Sequence, residues 1–163
     1  MTLLVKYLLV FLISMVPLIE LRGAIPYAVI FELPLLPSYI IAIIGNMLPV
    51  PFIFFFARKV LEWGKDVNFK VFAKFCRFCI DKGEKAKKAL LSKSDKSVYI
   101  ALLLFVGIPL PGTGAWTGTL AASFLNLDFK KSVIAVSLGV VLAGIIMGVV
   151  SGGLVGAFSL IGG

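Results

Sequence analysis

The chain has 163 residues, of which 60% are hydrophobic and 15% are charged, against roughly 25% charged residues in a soluble domain. It has no histidine, which excludes a Ser-His-Asp or Cys-His catalytic arrangement, so an enzyme is not expected. The composition indicates a single-domain, all-α integral membrane protein without a cofactor or a metal site.

The net charge of +8 is concentrated in one segment of the chain. Residues 58–97 hold 12 of the 16 Lys and Arg residues but only five acidic ones. In a soluble protein this charge would suggest a nucleic-acid partner, but clustering between apolar segments is the positive-inside pattern of membrane proteins. We predict that residues 58–97 are cytoplasmic, that the partner is the lipid bilayer rather than nucleic acid, and that the protein is a multi-pass protein of a prokaryotic plasma membrane.

The first element in chain order is a pair of apolar arms, residues 3–19 and 24–36, separated by the polar residues 20–23. Irregular backbone in lipid is tolerated only where protein buries it or where it lines a polar cavity. The pattern therefore predicts a re-entrant helical hairpin. The first arm is also just long enough to cross the membrane, so a fully spanning arm remains an alternative.

The next elements are a span and a basic helix. Residues 38–57 carry no charge and are long enough as a helix to cross the roughly 30 Å hydrocarbon layer, with Asn46 and two prolines predicting a kink. Apolar spacing from Val60 to Cys79 predicts an amphipathic helix that lies on the inner membrane surface or covers the cytoplasmic ends of the spans. Cys76 and Cys79 have CxxC spacing, but the chain lacks the further ligands that zinc needs, which leaves redox or intersubunit metal chemistry as the alternative.

The second half repeats this order. Residues 98–110 and 115–127 are apolar arms too short to cross singly, which predicts a second re-entrant hairpin turning at Gly112 and Gly114. Residues 132–161 form the second predicted span. Its glycines recur every four residues and predict a close-packing face, either within the fold or between the protomers of a homodimer. This face consists of Gly144, Gly148, Gly152 and Gly156.

The two halves align at an offset of 92 residues. This offset matches Pro17 with Pro109, and a further shift of two residues matches Gly45 with Gly139. A hairpin plus one span crosses the membrane an odd number of times, so two such units must be inverted relative to each other. We predict two inverted repeats, each a re-entrant helical hairpin plus one transmembrane helix, joined by a basic amphipathic helix. The predicted units of this single domain, residues 1–163, are residues 1–57, 58–97 and 98–163.

The polar interruptions of the two hairpins are the predicted substrate site, because transporters place their sites at broken helices in corresponding positions of two halves. Arg22 is predicted to hold an anionic group, since a guanidinium binds phosphate or carboxylate through two parallel hydrogen bonds. Glu20 is the predicted titratable partner, because proton coupling in a chain without histidine needs a carboxylate. The alternative is an internal ion pair that only stabilises the break.

The second interruption, PLPGTGAWTG at residues 109–118, presents backbone N–H groups at the start of its second arm, where a helix N-terminus attracts anions. The alternative is a tight turn that lets the two hairpins meet. Trp116 either stacks on the substrate or anchors the hairpin at an interface. The predicted substrate- and ion-binding residues are Glu20, Arg22, Pro26, Asn46, Gly112, Thr113, Gly114, Trp116 and Thr117.

Three motifs carry a family resemblance: ELRGAIP at residues 20–26, GNMLPVP at 45–51 and PLPGTGAWTG at 109–118. In this order and spacing they resemble the small multidrug export protein family over nearly the whole chain. That family is similar to the DedA-like membrane proteins, whose paired re-entrant hairpins meet at mid-membrane. The resemblance implies drug export or transbilayer movement of lipids, including polyprenyl-phosphate carriers, with ion coupling. By motif position Glu20 and Arg22 take the polar role of the first hairpin, whereas the second departs from the DedA-like pattern because it has no arginine.

We therefore expect a transporter that exports or flips an amphipathic, anionic or lipid-like substrate across the plasma membrane. The alternative, from a different class, is a lipid-binding or membrane-organising protein whose hairpins never cycle. Substrate movement in proteoliposomes separates the two, because only a transporter produces it.

Overall fold

The computed structural model describes residues 2–66, 74, 77, 81, 95–110 and 112–161. Within these residues the chain forms seven α-helices and no strand. Two helical stretches, Leu35–Gly64 and Phe129–Gly152, are long and apolar enough to cross a membrane. The predicted all-α class is therefore confirmed, with both candidate spans where the sequence placed them. The helices are α1 (Leu3–Met15), α2 (Glu20–Ile30), α3 (Leu35–Met47), α4 (Val50–Gly64), α5 (Asp95–Gly107), α6 (Ala115–Phe124) and α7 (Phe129–Ile161).

The distribution of side chains fits a lipid environment. Large apolar side chains such as Leu4, Phe52 and Val149 are at least 70% exposed, whereas the interior contains many small and hydroxyl-bearing residues. In lipid the outer surface needs no polar cover, and helices associate through small residues that allow close approach. The buried polar residues are Ser14, Glu20, Ser38, Asn46, Thr119, Ser123, Ser132 and Ser151.

The first helix break differs from its predicted position. Residues 20–23, expected to be irregular, form the first turn of α2, and the break lies at residues 16–19. Pro17 has no N–H to continue α1, and Leu18 and Glu20 adopt positive φ angles of 70° and 50°. The second arm also ends early, at Ile30 rather than residue 36. The chain therefore turns before the charged residues.

The second helix break lies closer to its predicted position. Helix α6 begins at Ala115 as expected, and α5 ends at Gly107, three residues before the predicted end. Gly112 and Gly114 both have positive φ angles, of 82° and 132°, which glycine adopts at little cost. The turn is therefore built by glycine backbone.

The two halves make matching contacts. Helix α1 packs on α2 and α3, α5 packs on α6 and α7, and the second arms cross over, α2 against α7 and α6 against α4. A Cβ atom on Gly45 would lie 2.7 Å from the Phe11 carbonyl oxygen, and one on Gly139 would lie 2.7 Å from that of Leu103. The residues of these two contacts correspond in the sequence alignment of the two halves. Phe11 and Leu103 are 92 residues apart, and Gly45 and Gly139 are 94 apart, as the further shift of two residues requires.

Part of the glycine face of α7 packs inside the fold. The Tyr39 hydroxyl donates a 2.6 Å hydrogen bond to the Gly144 carbonyl oxygen, and a Cβ atom on Gly148 would overlap the same hydroxyl. Gly152 has open space beside it. The surroundings of Gly156 lie outside the described residues. The close-packing face is thus used between α3 and α7 at Gly144 and Gly148, while a homodimer contact remains a prediction.

The predicted amphipathic helix lies mostly outside the described residues. Its first residues, up to Gly64, form the end of α4, so the helix of the first span continues past residue 57. Of the following residues in that prediction, Lys65, Asp66, Lys74 and Arg77 are described, and Arg77 donates hydrogen bonds to the Lys65 carbonyl oxygen at 2.9 and 3.0 Å. Cys76 and Cys79 are not among the described residues.

Candidate functional site

The two helix breaks meet, and Glu20 is the centre of the contact. Its side chain is 3% exposed. Its Oε2 atom accepts a 3.1 Å hydrogen bond from the Ala115 N–H, and its Oε1 atom accepts a 3.0 Å hydrogen bond from the Trp116 N–H. Both N–H groups lie in the first turn of α6, where backbone N–H groups have no acceptor within the helix. The carboxylate therefore caps the helix N-terminus, where the helix dipole favours negative charge.

Gly114 makes this approach possible. A Cβ atom at this position would lie 2.7 Å from the Glu20 Cδ atom and closer still to Oε2. Its φ angle of 132° is also one that residues with a side chain rarely adopt. Both the space and the backbone conformation at the start of α6 therefore require glycine.

Arg22 binds the other end of the same break. Its guanidinium donates to the carbonyl oxygens of Leu110 and Ile108, the latter at 3.3 Å, and to Thr113 Oγ1 at 2.6 Å. Thr113 Oγ1 lies 2.8 and 2.9 Å from the same two carbonyl oxygens, and its single hydrogen is shared between them. Both carbonyls also accept a backbone hydrogen bond, Ile108 from the Leu110 N–H at 2.8 Å and Leu110 from the Thr113 N–H at 3.2 Å. The arginine adds a charged donor to this turn, so it stabilises the chain after α5 as Glu20 stabilises the start of α6.

Glu20 and Arg22 therefore bind the second break rather than each other. The side-chain ion pair found within the described ranges joins Arg58 and Glu62 at 3.0 Å, on the exposed face of α4. Arg22 contacts neutral oxygen atoms, which solvate its charge without cancelling it. The site therefore contains the positive charge of Arg22 and the negative charge of Glu20 at separate positions, without a direct ion pair between them.

The other predicted residues surround this contact or lie further along the same helices. Pro26 is inside α2. Thr117 Oγ1 lies 3.4 Å from the Gly114 carbonyl oxygen. Asn46 is 2% exposed, and its Oδ1 atom, like Trp116 Nε1, has no hydrogen-bond partner among the described atoms. Buried polar atoms without partners are rare in proteins, so these two are available to a ligand or to water.

Some polar groups of the site were missed at the sequence level. The carbonyl oxygens of Ile108 and Leu110 are site atoms, and the Pro-Leu-Pro run that follows Ile108 was a usable signal, because proline ends a helix and exposes its last carbonyls. Thr119 is 1% exposed, its hydroxyl has no hydrogen-bond partner among the described residues, and it lies one helical turn after Ala115. Its four-residue spacing from Ala115 places it on the same face of α6.

The fold and site define an all-helical membrane protein with paired helix breaks joined by the side chains of Glu20 and Arg22. The chain belongs to a family of small export proteins: the family model described as "Putative small multi-drug export protein" matches residues 20–146, which include Glu20, Arg22 and the second break. The resemblance to the small multidrug export family is thus confirmed. The family name indicates a membrane transporter rather than an enzyme. No curated protein and no solved structure matches the chain.

Proposed function

We propose that this protein exports or flips an amphipathic, anionic or lipid-like substrate, and that the substrate binds where the two helix breaks meet. The observation that carries the proposal is that a buried carboxylate, that of Glu20, caps the N-terminus of α6. The Glu20 carboxylate thus occupies a position that would suit the phosphate or carboxylate of a substrate. The family name supports transport.

In the proposed cycle the substrate anion replaces Glu20 at the N-terminus of α6. An ionised Glu20 balances the charge of Arg22 and accepts hydrogen bonds from the N–H groups of Ala115 and Trp116. Protonation of Glu20 leaves the site with the net positive charge of Arg22 and weakens both hydrogen bonds, because bonds to charged groups contribute about 1.5–3 kcal/mol and neutral ones about 0.5–1.5. The N–H groups then bind the substrate anion. This exchange links proton binding to substrate binding.

The proposed architecture is a pair of inverted repeats with the site at their junction. It rests on the matching glycine contacts, Gly45 with α1 and Gly139 with α5, and on the crossing of α2 to α7 and α6 to α4. Each hairpin would be re-entrant, since α1, α2, α5 and α6 have only 10 to 13 residues. In such an arrangement, rocking of one unit against the other exposes a central site to either side.

The proposed orientation places residues 58–97 in the cytoplasm. Most of the basic residues lie there, and Lys130 and Lys131, at the start of α7, share that side. Single-cysteine labelling at Lys85 in a background without Cys76 and Cys79 is expected to succeed from the inside only. Labelling of that position from outside would reverse the orientation.

The test is movement of fluorescent lipids in proteoliposomes containing the full chain. A labelled polyprenyl phosphate and a labelled phosphatidic acid serve as anionic probes, and labelled phosphatidylcholine serves as the zwitterionic control. We expect protein-dependent movement of an anionic probe that changes between acidic and alkaline pH. In Glu20→Gln the pH dependence should flatten, because the side chain can no longer ionise. Glu32→Gln, a change of an exposed carboxylate in the same half, is the matched control and should keep the parent profile.

An unchanged pH profile in Glu20→Gln would show that this carboxylate is only a helix cap. If the folded protein moves none of the probes, the second candidate gains: a lipid-binding or membrane-organising protein without transport. One observation favours that candidate, namely that both Glu20 and Arg22 are fully engaged by the chain's own backbone. These contacts would be enough to hold the two breaks together permanently in a protein that does not transport.

A further inference from the structure

The first candidate span is interrupted at residues 48–49, between α3 and α4. Pro49 and Pro51 have no N–H group, so the carbonyl oxygens of Gly45 and Met47 lack the donor that a helix provides four residues later. The corresponding span of the second half, α7, is a continuous helix. The last carbonyls of α3 and the negative end of its dipole therefore point towards this interruption.

Asn46 and Thr119 are buried, and each has a side-chain oxygen atom without a hydrogen-bond partner among the described residues. Asn46 lies in the last turn of α3 and is 2% exposed, and the atom without a partner is Oδ1. Thr119 lies in α6 and is 1% exposed, and the atom without a partner is Oγ1. A buried polar atom without a partner costs free energy, so these two oxygen atoms indicate a ligand.

Contacts along α7 place the two oxygen atoms at the same depth in the fold. On the side of α3, the Met47 Sδ atom lies 3.7 Å from Ser137 Oγ. On the side of α6, Gly118 packs against Val106, and Val106 also packs against Gly139. The same turn of α7 is therefore level with Met47 and with Gly118, each of which is the sequence neighbour of one of the two oxygen-bearing residues.

Thr119 faces α4 at this depth. From Met47 to Phe54 the chain runs towards the start of α7, because the Phe54 ring packs on the Phe129 ring. Helix α6 runs the same way, since it ends five residues before Phe129. Ser123 Oγ donates a 2.8 Å hydrogen bond to the Phe54 carbonyl oxygen. Thr119 lies one turn before Ser123, so it faces α4 one turn before Phe54, next to the interruption.

The charged groups nearest to these oxygen atoms have opposite signs. The Glu20 carboxylate caps α6 one turn before Thr119, and the Arg22 guanidinium is bound at the same junction. Helices α3 and α6 have no charged residue. The nearest charged residues of α4 and α7, Arg58 and Lys131, lie at least six residues further along their helices. Neutral oxygen ligands beside a balanced pair suit a singly charged cation, because a divalent ion would bury two charges without a counter-charge.

We propose that an alkali cation binds at this interruption, with Asn46 Oδ1, Thr119 Oγ1 and the last carbonyl oxygens of α3 as ligands. In interrupted membrane helices, carbonyls at the C-terminal end of a half-helix coordinate such ions. The cation site goes beyond the proposed function, because its ligands differ from the groups that would bind the substrate anion and because binding requires no transport.

The test is thermal unfolding of the purified full chain in detergent, at fixed pH and ionic strength, in sodium, potassium or choline chloride. A cation that binds only the folded protein stabilises it by an amount that grows with its concentration. We expect the parent to unfold about 3–6 °C higher in Na⁺ or K⁺ than in choline, at a cation concentration about ten times the dissociation constant. The same midpoint in all three salts would overturn the cation site.

Two variants of similar shape remove the side-chain ligands. Thr119→Val and Asn46→Leu should each reduce the shift between alkali cation and choline to below about 1 °C. Thr119→Val should unfold no earlier than the parent in choline, because it removes a hydroxyl that has no partner among the described residues. A full shift in either variant would contradict the assigned ligands.

Ser132→Ala is the matched control. Its hydroxyl is also buried and without a partner among the residues described, but it lies in the first turn of α7. The alkali-specific shift should remain, and its loss would show that any buried hydroxyl has this effect, which would overturn the site. Since no substrate is present, a failure of the transport assay would leave this result unaffected.

Discussion

The two helix breaks occupy corresponding positions but use opposite chemistry. The first carries charged side chains, Glu20 and Arg22, and puts residues with side chains, including Leu18, at positive φ. The second carries glycines at positive φ and offers bare backbone, N–H groups at the start of α6 and carbonyls after α5. The first break therefore supplies charged side chains, and the second supplies the backbone groups that bind them.

This difference shows how a site can arise at the contact between two similar halves. A buried carboxylate or backbone N–H group without a partner costs free energy, so Glu20 and the start of α6 would each be unfavourable alone. Together, the carboxylate satisfies the N–H groups, and the guanidinium adds a donor to carbonyls that also accept backbone hydrogen bonds. The contact thus holds the halves together and places two opposite charges at one junction, which is the property the proposed function uses.

The largest expected effect is at Gly114, where the two breaks touch most closely. Gly114→Ala should destabilise the protein by about 3–5 kcal/mol, because it combines backbone strain of about 1–3 kcal/mol with loss of the Glu20 hydrogen bonds. Thermal unfolding in detergent measures it. Gly112→Ala is the matched control: its φ is also positive, but a Cβ atom there meets nothing within 4 Å. It should lose only about 1–2 kcal/mol, and equal losses would contradict a specific role for the Glu20 approach.

The next largest destabilisation is expected at Arg22, which binds the carbonyl oxygens just after α5. Arg22→Lys keeps the charge but replaces the planar fork that reaches Leu110, Ile108 and Thr113, and should destabilise the protein by about 1.5–3 kcal/mol. It should also weaken binding of an anionic probe, measured by titration of the purified protein. Thr113→Val removes one acceptor of the guanidinium and one hydroxyl donor to the same carbonyls but leaves the arginine in place, and it should have about half the effect on stability. Parent-like binding in Arg22→Lys would rule out recognition through the fork.

The glycines at the helix crossings test whether the halves are equivalent outside the breaks. Gly45→Ala and Gly139→Ala should each destabilise by about 1–3 kcal/mol, because the added methyl group overpacks against the neighbouring helix. Gly152→Ala, with open space beside it, should instead stabilise α7 by about 0.5–1 kcal/mol. Thermal unfolding compares all three. A large loss at only one of Gly45 and Gly139 would argue against equivalent crossings.

The smallest expected effect is at the crossing that the first half makes with α7. Tyr39→Phe removes the hydrogen bond to the Gly144 carbonyl oxygen but keeps the ring, so the loss should be about 0.5–1.5 kcal/mol. Binding of an anionic probe should not change, since Tyr39 does not line the site at the helix breaks. A change in probe binding would mean that this crossing controls the helix breaks.

The sequence by itself determined the helical class, the candidate spans and the existence of two breaks. These are local properties: runs of apolar residues fix helix length, and proline and glycine interrupt the helical hydrogen bonds wherever they occur. The exact position of the first break was less predictable. Charged residues suggested a break at residues 20–23, but the backbone turned at Pro17, because a missing N–H ends a helix more effectively than a charge that finds partners elsewhere.

Only the tertiary structure decided what the site residues bind. Glu20 is more than 90 residues from Ala115 in sequence, and nothing local distinguishes an ion pair with Arg22 from a cap on α6. The outcome depends on which unpaired groups the packing brings within hydrogen-bond distance, and that follows from the crossing of α2 and α6 between the halves. Composition and spacing set the charges and the breaks, whereas their partners were set by which buried donors and acceptors the assembled fold brings together, since an unsatisfied buried polar group costs free energy.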